Sequence, residues 1–567
     1  MSTVDIICKN TGIRKEYPIG VTAAQIAADQ GVQLKDDILG VLVNNKLREL
    51  DYEIYKPKTL EFIDIYHPQG HAMYMRSTLF ILFKAVRDLW PECTLKVEHS
   101  LPLGMYCEII GGKVKVDADT ITRLRKRAEE IIAADLPFGR KELPTEEAIE
   151  IFKQNHLNDK ILLCQTRNEP YTSVYTLDNT ANYFYGYLVP STRYVKYFHI
   201  DPYFGHGLIA LKPDSEITIR NKGREFYSSL VKETWQRGNK LFYTFQEQKE
   251  WLSIMGVPYV GNLNKEIKEQ GAGRLIKVSE ALQERKFAWM ADQVAKKPDC
   301  KIVLISGPSS SGKTTFCKRL SVQLQVLGYK TAEISLDDYF VDREKTPLDE
   351  NGEYDFECLE AIDRDFFNQQ MHQILDVSKE AEIKLPTFDF KEGKRKFLGR
   401  KIKVTPKTLI LVEGIHALNP ALIQLDDRYI FRIFVSALTH ISIDAQNPVS
   451  STDNRLIRRM VRDAHFRGSS ALSTLSRWPS VNKGEGKNIF PYQENADVIF
   501  NSALLFELGV LKKHAEPLLR EIPETSEHYG EACRLLKFLS YFRNIEEGEI
   551  PPTSILREFL GGSSFVY

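Results

Sequence analysis

Over residues 1–63, short runs of alternating apolar and polar residues (Val4–Ile7, Ile38–Val43, Thr59–Ile65) are joined by one run with helical spacing, Ala23–Asp29. Period-two alternation fits a half-buried strand and a spacing of three and four fits one helix face, so this stretch predicts a small α+β unit. Between 64 and 275 the apolar run Met75–Leu89 has helical length and stops at Trp90-Pro91, and a strand-rich stretch full of Tyr and Phe follows. A helix over about 278–297 leads into Pro298. Then come the runs Lys301–Ser306, Thr331–Ser335 and Thr408–Val412, expected as strands of a parallel sheet, with a helical run to Leu327 after the first. Beyond 516 a helix around Glu531–Phe542 and a tail are expected to pack on the domain before them. The pattern predicts a multidomain α+β and α/β chain without internal repeats, divided at 1–63, 64–275 and 516–567, with 285–515 taken as the span of a resemblance given below.

Charge adds little. The 76 Lys and Arg cancel the 76 Asp and Glu, so any contact with nucleic acid or a membrane surface must be local. The apolar run Leu79–Phe83 is closed by Lys84, well short of the roughly 18 residues a membrane span needs, and Met1 is followed by Ser, Thr, Val and Asp, with neither a basic n-region nor an apolar signal core. A cytoplasmic protein is expected. The eight cysteines contain no Cys-x-x-Cys pair and read as reduced thiols rather than zinc ligands.

Histidines and aromatics in the front half have simple readings. His67 and His71 are four apart, but Pro68 and Gly70 between them predict a loop, not a metal-binding helix face. His199 and His206 flank the turn sequence Asp201–Gly205 and are read the same way. Tyr183, Phe184, Tyr185, Tyr187, Tyr194, Tyr197 and Phe198, interleaved with Arg193 and Lys196, form either a stacking surface for single-stranded RNA or a sheet core. Strands favour aromatics, so the core reading is preferred.

The chemistry concentrates after residue 300. The strand ending at Ser306 runs into Gly307-Pro308-Ser309-Ser310-Ser311-Gly312-Lys313-Thr314-Thr315 and then a helix, which is a phosphate-binding loop in its required strand–loop–helix setting. Backbone N–H groups and the helix N-terminus would face phosphate oxygens, Lys313 would reach the β- and γ-phosphates, and the Thr314 hydroxyl would ligate Mg2+. ATP and Mg2+ are therefore the expected cofactors. Asp337 and Asp338 follow the next strand, at the sheet edge where α/β proteins bind ligands, and Asp337 is placed to accept a proton from an attacking hydroxyl. Glu413, at the end of the third strand, is the expected second magnesium ligand. Arg455, Arg458, Arg459 and Arg462 share one helical face, with Arg467 beyond. Such a stripe is either a solvated face or a lid that clamps transferring phosphoryl charge.

Two resemblances follow from these residues. Residues 1–63, with Tyr17-Pro18-Ile19-Gly20-Val21 before the helix, resemble the TGS β-grasp domain, and Ser77–Pro91 with Gly104-Met105-Tyr106-Cys107 resembles the editing domain of threonyl-tRNA synthetases. That family carries a zinc-binding His pair where Arg76 and Phe80 stand here, so editing chemistry is expected to be absent. Ser306–Thr315, Ile334–Tyr339, Pro386-Thr387-Phe388-Asp389-Phe390, Val412–Ile415 and Arg458–Asp463, in that order, resemble the uridine kinase and phosphoribulokinase family. The resemblance implies that Asp337 is the catalytic base, acting with Lys313, and that Arg459, Arg462 and Arg467 form the lid. It also implies that Asp355, Phe388 and Phe390 line the acceptor pocket. Gly393 stands where the family has a base-contacting His, Ser469 where it has Arg, and Arg477-Trp478 where it has Gln-Tyr, so Arg477 and Trp478 fall in the acceptor site. The whole chain is similar to bacterial proteins that fuse TGS and synthetase-like domains to a uridine-kinase-like domain.

Three functions compete. An ATP-dependent kinase for a nucleoside-like acceptor uses every phosphate-site element. A TGS-containing regulatory NTPase acting on RNA or the ribosome should carry Asn-Lys-x-Asp, to which only Asn482-Lys483-Gly484-Glu485, expected in a loop, approximates, while Asp349-Glu350-Asn351-Gly352 reads as a turn. An RNA-binding or editing protein fits residues 1–275 but lacks the zinc ligands. The choice of ATP or GTP and homo-oligomer formation stay open.

Overall fold

Alternation over the first strand, with Val4, Ile6 and Cys8 buried on one face, sets the first sheet against a short helix. In this computed structural model, which describes residues 2–203, 205–213, 224–348, 352, 354–389 and 392–567, that sheet has the strand order 14–18, 3–8, 58–63, 40–43, 46–48. Strand Thr3–Cys8 runs parallel to Lys58–Ile63 and antiparallel to Arg14–Pro18. The helix Ala23–Asp29 starts in a capping box between Thr22 and Gln25, which satisfies two otherwise unpaired donors.

The next helix, Pro68–Leu89, is buried along nearly its whole length from Met73 to Val86. It packs against a three-stranded sheet (138–144, 171–177, 180–182) and a four-stranded one (200–203, 207–211, 104–110, 94–101). Its start corrects the loop expected around His67 and His71. Pro68 occupies the first turn, where a missing N–H costs nothing, and the His67 ring caps the helix by accepting from the Gln69 N–H at 3.2 Å. A Cβ on Gly70 would lie 1.9 Å from the Asp64 carbonyl oxygen, so this glycine permits the close approach of two backbones. Among the described residues no group of three or more metal-ligand side chains forms. His199 is buried beside Asp201 at 3.0 Å.

The aromatic run is largely core: Tyr183, Phe184 and Phe198 are at most 8% exposed, packed with Phe80 and the rest of the central helix. Those rings cannot stack on RNA bases.

Five parallel strands form the C-terminal sheet in the order 330–335, 408–413, 302–306, 430–436, 498–501. Ile302–Ser306 is central and wholly buried, matching its unbroken apolar sequence. Helix Gly273–Ala295 packs on helix Lys313–Val326, where buried Arg319 lies over Phe287 and bonds Glu284 at 2.5 Å. Asn482–Glu485 lies inside helix Ala471–Asn488, not in a loop. Of the expected turn Asp349–Gly352, only Gly352 is among the described residues.

The C-terminal segment reaches further than a tail on one domain. Helix Tyr529–Leu539 packs on helix Glu507–Arg520 and on strand Lys46–Arg48 of the first sheet. The Asn45 side chain donates to the Glu524 carbonyl at 3.3 Å, and the Tyr183 and Tyr541 hydroxyls hydrogen-bond each other. Buried Ala532, Leu535, Phe538 and Leu539 give this helix its apolar face. No described helix is long and apolar enough to cross a membrane.

Candidate phosphate and acceptor site

The loop after the central strand is held tight by its small residues. A Cβ on Gly307 would lie 1.9 Å from the Val435 carbonyl oxygen, and Gly312 takes φ +84°, a conformation side chains disfavour. Ser310 is held at φ +57° without being glycine. Helix Lys313–Val326 starts from Gly312 with no side-chain cap from that residue, so its first-turn N–H groups point outward as an anion site. The Ser310 and Ser311 hydroxyls are buried without hydrogen-bond partners, as a loop that wraps phosphate oxygens requires. Lys313 Nζ lies back on the Pro308 carbonyl at 3.1 Å. These donors fit a nucleotide's phosphate chain.

Acidic and hydroxyl side chains from distant segments already engage the loop and the helix turn after it. Glu485 accepts from the Ser309 N–H at 2.8 Å. Glu558 Oε2 accepts from the Thr315 N–H at 3.1 Å and from Thr315 Oγ1 at 2.6 Å, and the Tyr567 hydroxyl lies 2.7 Å from the same Oγ1. Neither Glu485 nor the C-terminal pair stands out in the sequence, because no local motif places them beside the loop.

At the carboxyl edge of the sheet, Asp337 sits in a 3-10 turn after Lys330–Ser335, and Glu413 ends Thr408–Glu413. Ser335 Oγ donates to Glu413 at 3.0 Å. Burial pushes the Asp337 carboxyl up, against the pull of Lys313, and Asp338 adds to the rise while Arg467 and Arg462 oppose it. Burial and Asp337 push Glu413 up to about 7, and Lys313 opposes them. Asp337, Glu413 and Lys313 thus share one electrostatic neighbourhood. Thr314, half-buried in the first helical turn, is the hydroxyl next to Lys313. Asp338 points elsewhere: it pairs with Arg400 at 2.8 Å and accepts from the Phe388 N–H at 3.3 Å.

The acceptor side differs from expectation. The Asp355 carboxylate accepts from the Glu357 N–H at 3.0 Å and so braces a turn. Glu357, two residues on, is the carboxyl that faces the cluster: burial, Glu485 and Asp337 push it up to about 7, against Arg459 and Lys313. The sequence holds both acids within Tyr354-Asp355-Phe356-Glu357, but only the fold of the turn decides which faces inward. Phe388 is 5% exposed, edge-on to Phe340. Phe390 lies outside the described residues.

The arginine stripe is neither a solvated face nor a single clamp. Helix Ser451–Arg467 is crossed by three other helices, which bury Arg455 and Arg458. Arg455 pairs with Glu485 through two bonds of 2.5 and 2.7 Å, and Arg458 pairs with Glu507 at 2.5 Å. Both also touch the loop, Arg455 donating to the Ser309 carbonyl at 3.1 Å and Arg458 to the Ser310 carbonyl at 3.4 Å, while Arg462 and Arg467 are the arginines felt at Asp337. Arg459 donates to Ser309 Oγ at 2.8 Å, and buried Asp463 gathers Arg459 at 3.3 Å, Arg462 at 2.8 Å and Arg467 at 3.6 Å. Trp478 is buried with Arg455 5.4 Å over its ring, so it supports that ion pair rather than an acceptor, while Arg477 is exposed beside it. The acceptor role expected for this pair is not supported by its position.

Comparison with known proteins divides the chain in two. Residues 302–505 match the model of the Phosphoribulokinase / Uridine kinase family. Threonine–tRNA ligase of Syntrophomonas wolfei is 28% identical over 154 residues, covering 27% of this chain and 24% of the ligase. Threonine–tRNA ligase of Polaromonas sp. is 30% identical over 189 residues, covering 33% of this chain and 29% of the ligase. The chain thus spans under a third of these relatives' length. A possible uridine kinase from Bacillus stearothermophilus is 19% identical with a TM-score of 0.24, covering 36% of this chain and 89% of that one. The chain therefore joins a C-terminal domain of the phosphoribulokinase and uridine kinase family to an N-terminal region homologous to part of threonyl-tRNA synthetases.

Proposed function

We propose that this protein is an ATP-dependent kinase that transfers the γ-phosphoryl group to a hydroxyl of a nucleoside-like or related sugar acceptor. The observation that carries this reading is the convergence of Lys313, Asp337 and Glu413 at the mouth of a glycine-bounded phosphate loop. A base placed there removes the acceptor's proton as phosphoryl transfer begins, and its raised pKa makes Asp337 a better base than an ordinary carboxylate. Lys313 and the arginines gathered on Asp463 meet the charge on the transferring group. Thr314 and Glu413 are the residues that would hold Mg2+, which supplies charge neutralisation of the phosphates when bound. Glu357 is the group we assign to the acceptor's hydroxyls, in place of Asp355. Residues 285–515 are the proposed kinase unit, with 1–63, 64–275 and 516–567 as the accompanying segments. The synthetase-like region, through its homology, is the proposed place of any RNA contact.

The switch-NTPase reading is disfavoured by one feature. In Asn482–Glu485, the acid that would read a guanine is buried in an ion pair with Arg455. The test is ADP formation with Mg2+ across nucleosides, sugars and a no-acceptor control. Stimulation by one acceptor class is expected, and turnover indifferent to every acceptor would favour the switch.

A further inference from the structure

Where the first sheet, the central helix Pro68–Leu89 and the C-terminal helix Tyr529–Leu539 meet, they enclose a cavity of about 140 Å³. Six of the residues lining it are cations, Lys46, Arg48, Arg76, Arg140, Arg534 and Lys537, and none is an acid. Two of the six are balanced from outside the cavity: Arg534 pairs with Asp453 at 2.7 Å and Glu531 at 2.6 Å, and Arg140 lies 3.6 Å from Glu142 and 4.0 Å from Glu49. The other four form no ion pair among the described residues. Arg76 Nε donates to the Tyr187 carbonyl at 2.9 Å and Arg48 to the Tyr187 hydroxyl at 3.1 Å, both neutral acceptors. The crowding is felt. Burial and the neighbouring Arg167, Arg140 and Arg76 push the Lys537 ammonium down to about 8, and burial lowers Arg76. Enclosed cations without counter-charge destabilise one another, and an anion bound among them removes that cost.

We propose that this cavity is a binding site for a phosphate group, held by the free guanidinium nitrogens of Arg76 and by Lys537, with Arg48 and Lys46 alongside. A tetrahedral dianion suits several cations of this kind, and arginine offers it two parallel donors. The phosphate belongs either to a small ester or to the end of an RNA strand. Titration calorimetry on the full chain carrying Lys313→Ala, which silences the P-loop, tests this with inorganic phosphate, a nucleoside monophosphate, and short RNAs with and without a terminal phosphate. Saturable binding of at least one phosphate-bearing probe is expected, weakened about tenfold or more by Arg76→Gln and by Lys537→Gln. The probe that binds tightest identifies the source. No binding by any probe, or binding unchanged by both substitutions, overturns the proposal. Lys537 keeps more contact with solvent than Arg76, so Lys537→Gln carries the test should Arg76→Gln disturb folding.

A second inference concerns the C-terminus and rests on the kinase reading above. Leu556 and Phe559 are wholly buried and anchor the last segment, and the Ile555 side chain lies 2.6 Å from where a Cβ on Gly312 would stand. From that anchor Glu558 and Tyr567 take the amide and hydroxyl of Thr315, in the first turn of the phosphate-loop helix. A carboxylate there uses donors that an anion at this helix start requires. We infer that residues 554–567 act as an internal competitor for the nucleotide, displaced when ATP binds. Calorimetric ATP binding by Glu558→Gln and Tyr567→Phe, with melting curves to confirm folding, separates the outcomes. Tighter ATP binding by about tenfold in Glu558→Gln is expected, and affinity equal to or weaker than the parent's overturns the competitor role. Absence of ATP binding in parent and variants alike overturns the kinase reading instead.

Discussion

Arg455 and Glu485 form a buried two-point ion pair, and the same Glu485 carboxylate accepts the Ser309 N–H of the phosphate loop. One pair therefore ties helices Ser451–Arg467 and Ala471–Asn488 to the loop between them. Removing one partner leaves a buried charge alone, which costs about 3–5 kcal/mol. Arg455→Ala should lower the denaturant midpoint accordingly, whereas Arg477→Ala, on the exposed side of helix Ala471–Asn488, should leave it within about 0.5 kcal/mol. Equal effects of the two would refute this division.

Asp463 is buried and holds Arg459, Arg462 and Arg467 together. Asp463→Asn should loosen all three, lowering kcat about tenfold or more while ATP affinity changes little. Steady-state kinetics beside direct ATP titration checks the split, and a purely structural role would move both together.

Protonation offers a separate handle. Glu413 and Glu357 are both pushed up to about 7 from an ordinary 4.5. Their folded pKa exceeds the unfolded one, so between those values the folded state holds more protons. The stability associated with the protonated carboxyls is fully present below pH 4.5 and is lost as pH rises through about 7. Nucleotide-free protein should weaken across that window by up to about 3 kcal/mol for each of the two carboxyls, and Glu413→Gln should flatten its part of the loss. Phosphoryl transfer, which needs Glu413 ionised, should instead rise through about pH 7. Denaturation and rate profiles over the same buffers measure both.

Mg2+ should reverse part of that pH effect. Adding the ion with ATP lowers the pKa of a coordinating carboxylate, so the acidic limb of the rate profile should shift to lower pH as Mg2+ rises, and Glu413→Gln should not show the shift.

Local features were legible before the fold. The phosphate loop, the strands ending at Ser335 and Glu413 and the central helix are set by apolar runs and glycines close in sequence, and the structure places them at those positions. What escaped was long-range. Glu485, Glu507 and Glu558 reach the site region or its arginines from 30 to 243 residues away, and no local periodicity encodes such partners. The arginine stripe was recognisable as a helical face, but whether it meets water or three other helices depends on the chain beyond it. Pro68 illustrates the converse: read as a helix breaker, it starts a helix because its first-turn position needs no N–H.

The most direct test follows the γ-phosphoryl group itself. ATP labelled at the γ position is incubated with Mg2+, a panel of nucleosides and sugars, and either the parent or Asp337→Asn, and the label is traced to products. The account predicts label on one acceptor's hydroxyl with the parent and a loss of about 10²–10⁴-fold with the variant, at unchanged ATP affinity. Label appearing only as inorganic phosphate, whatever the acceptor, or undiminished transfer by Asp337→Asn, would contradict it.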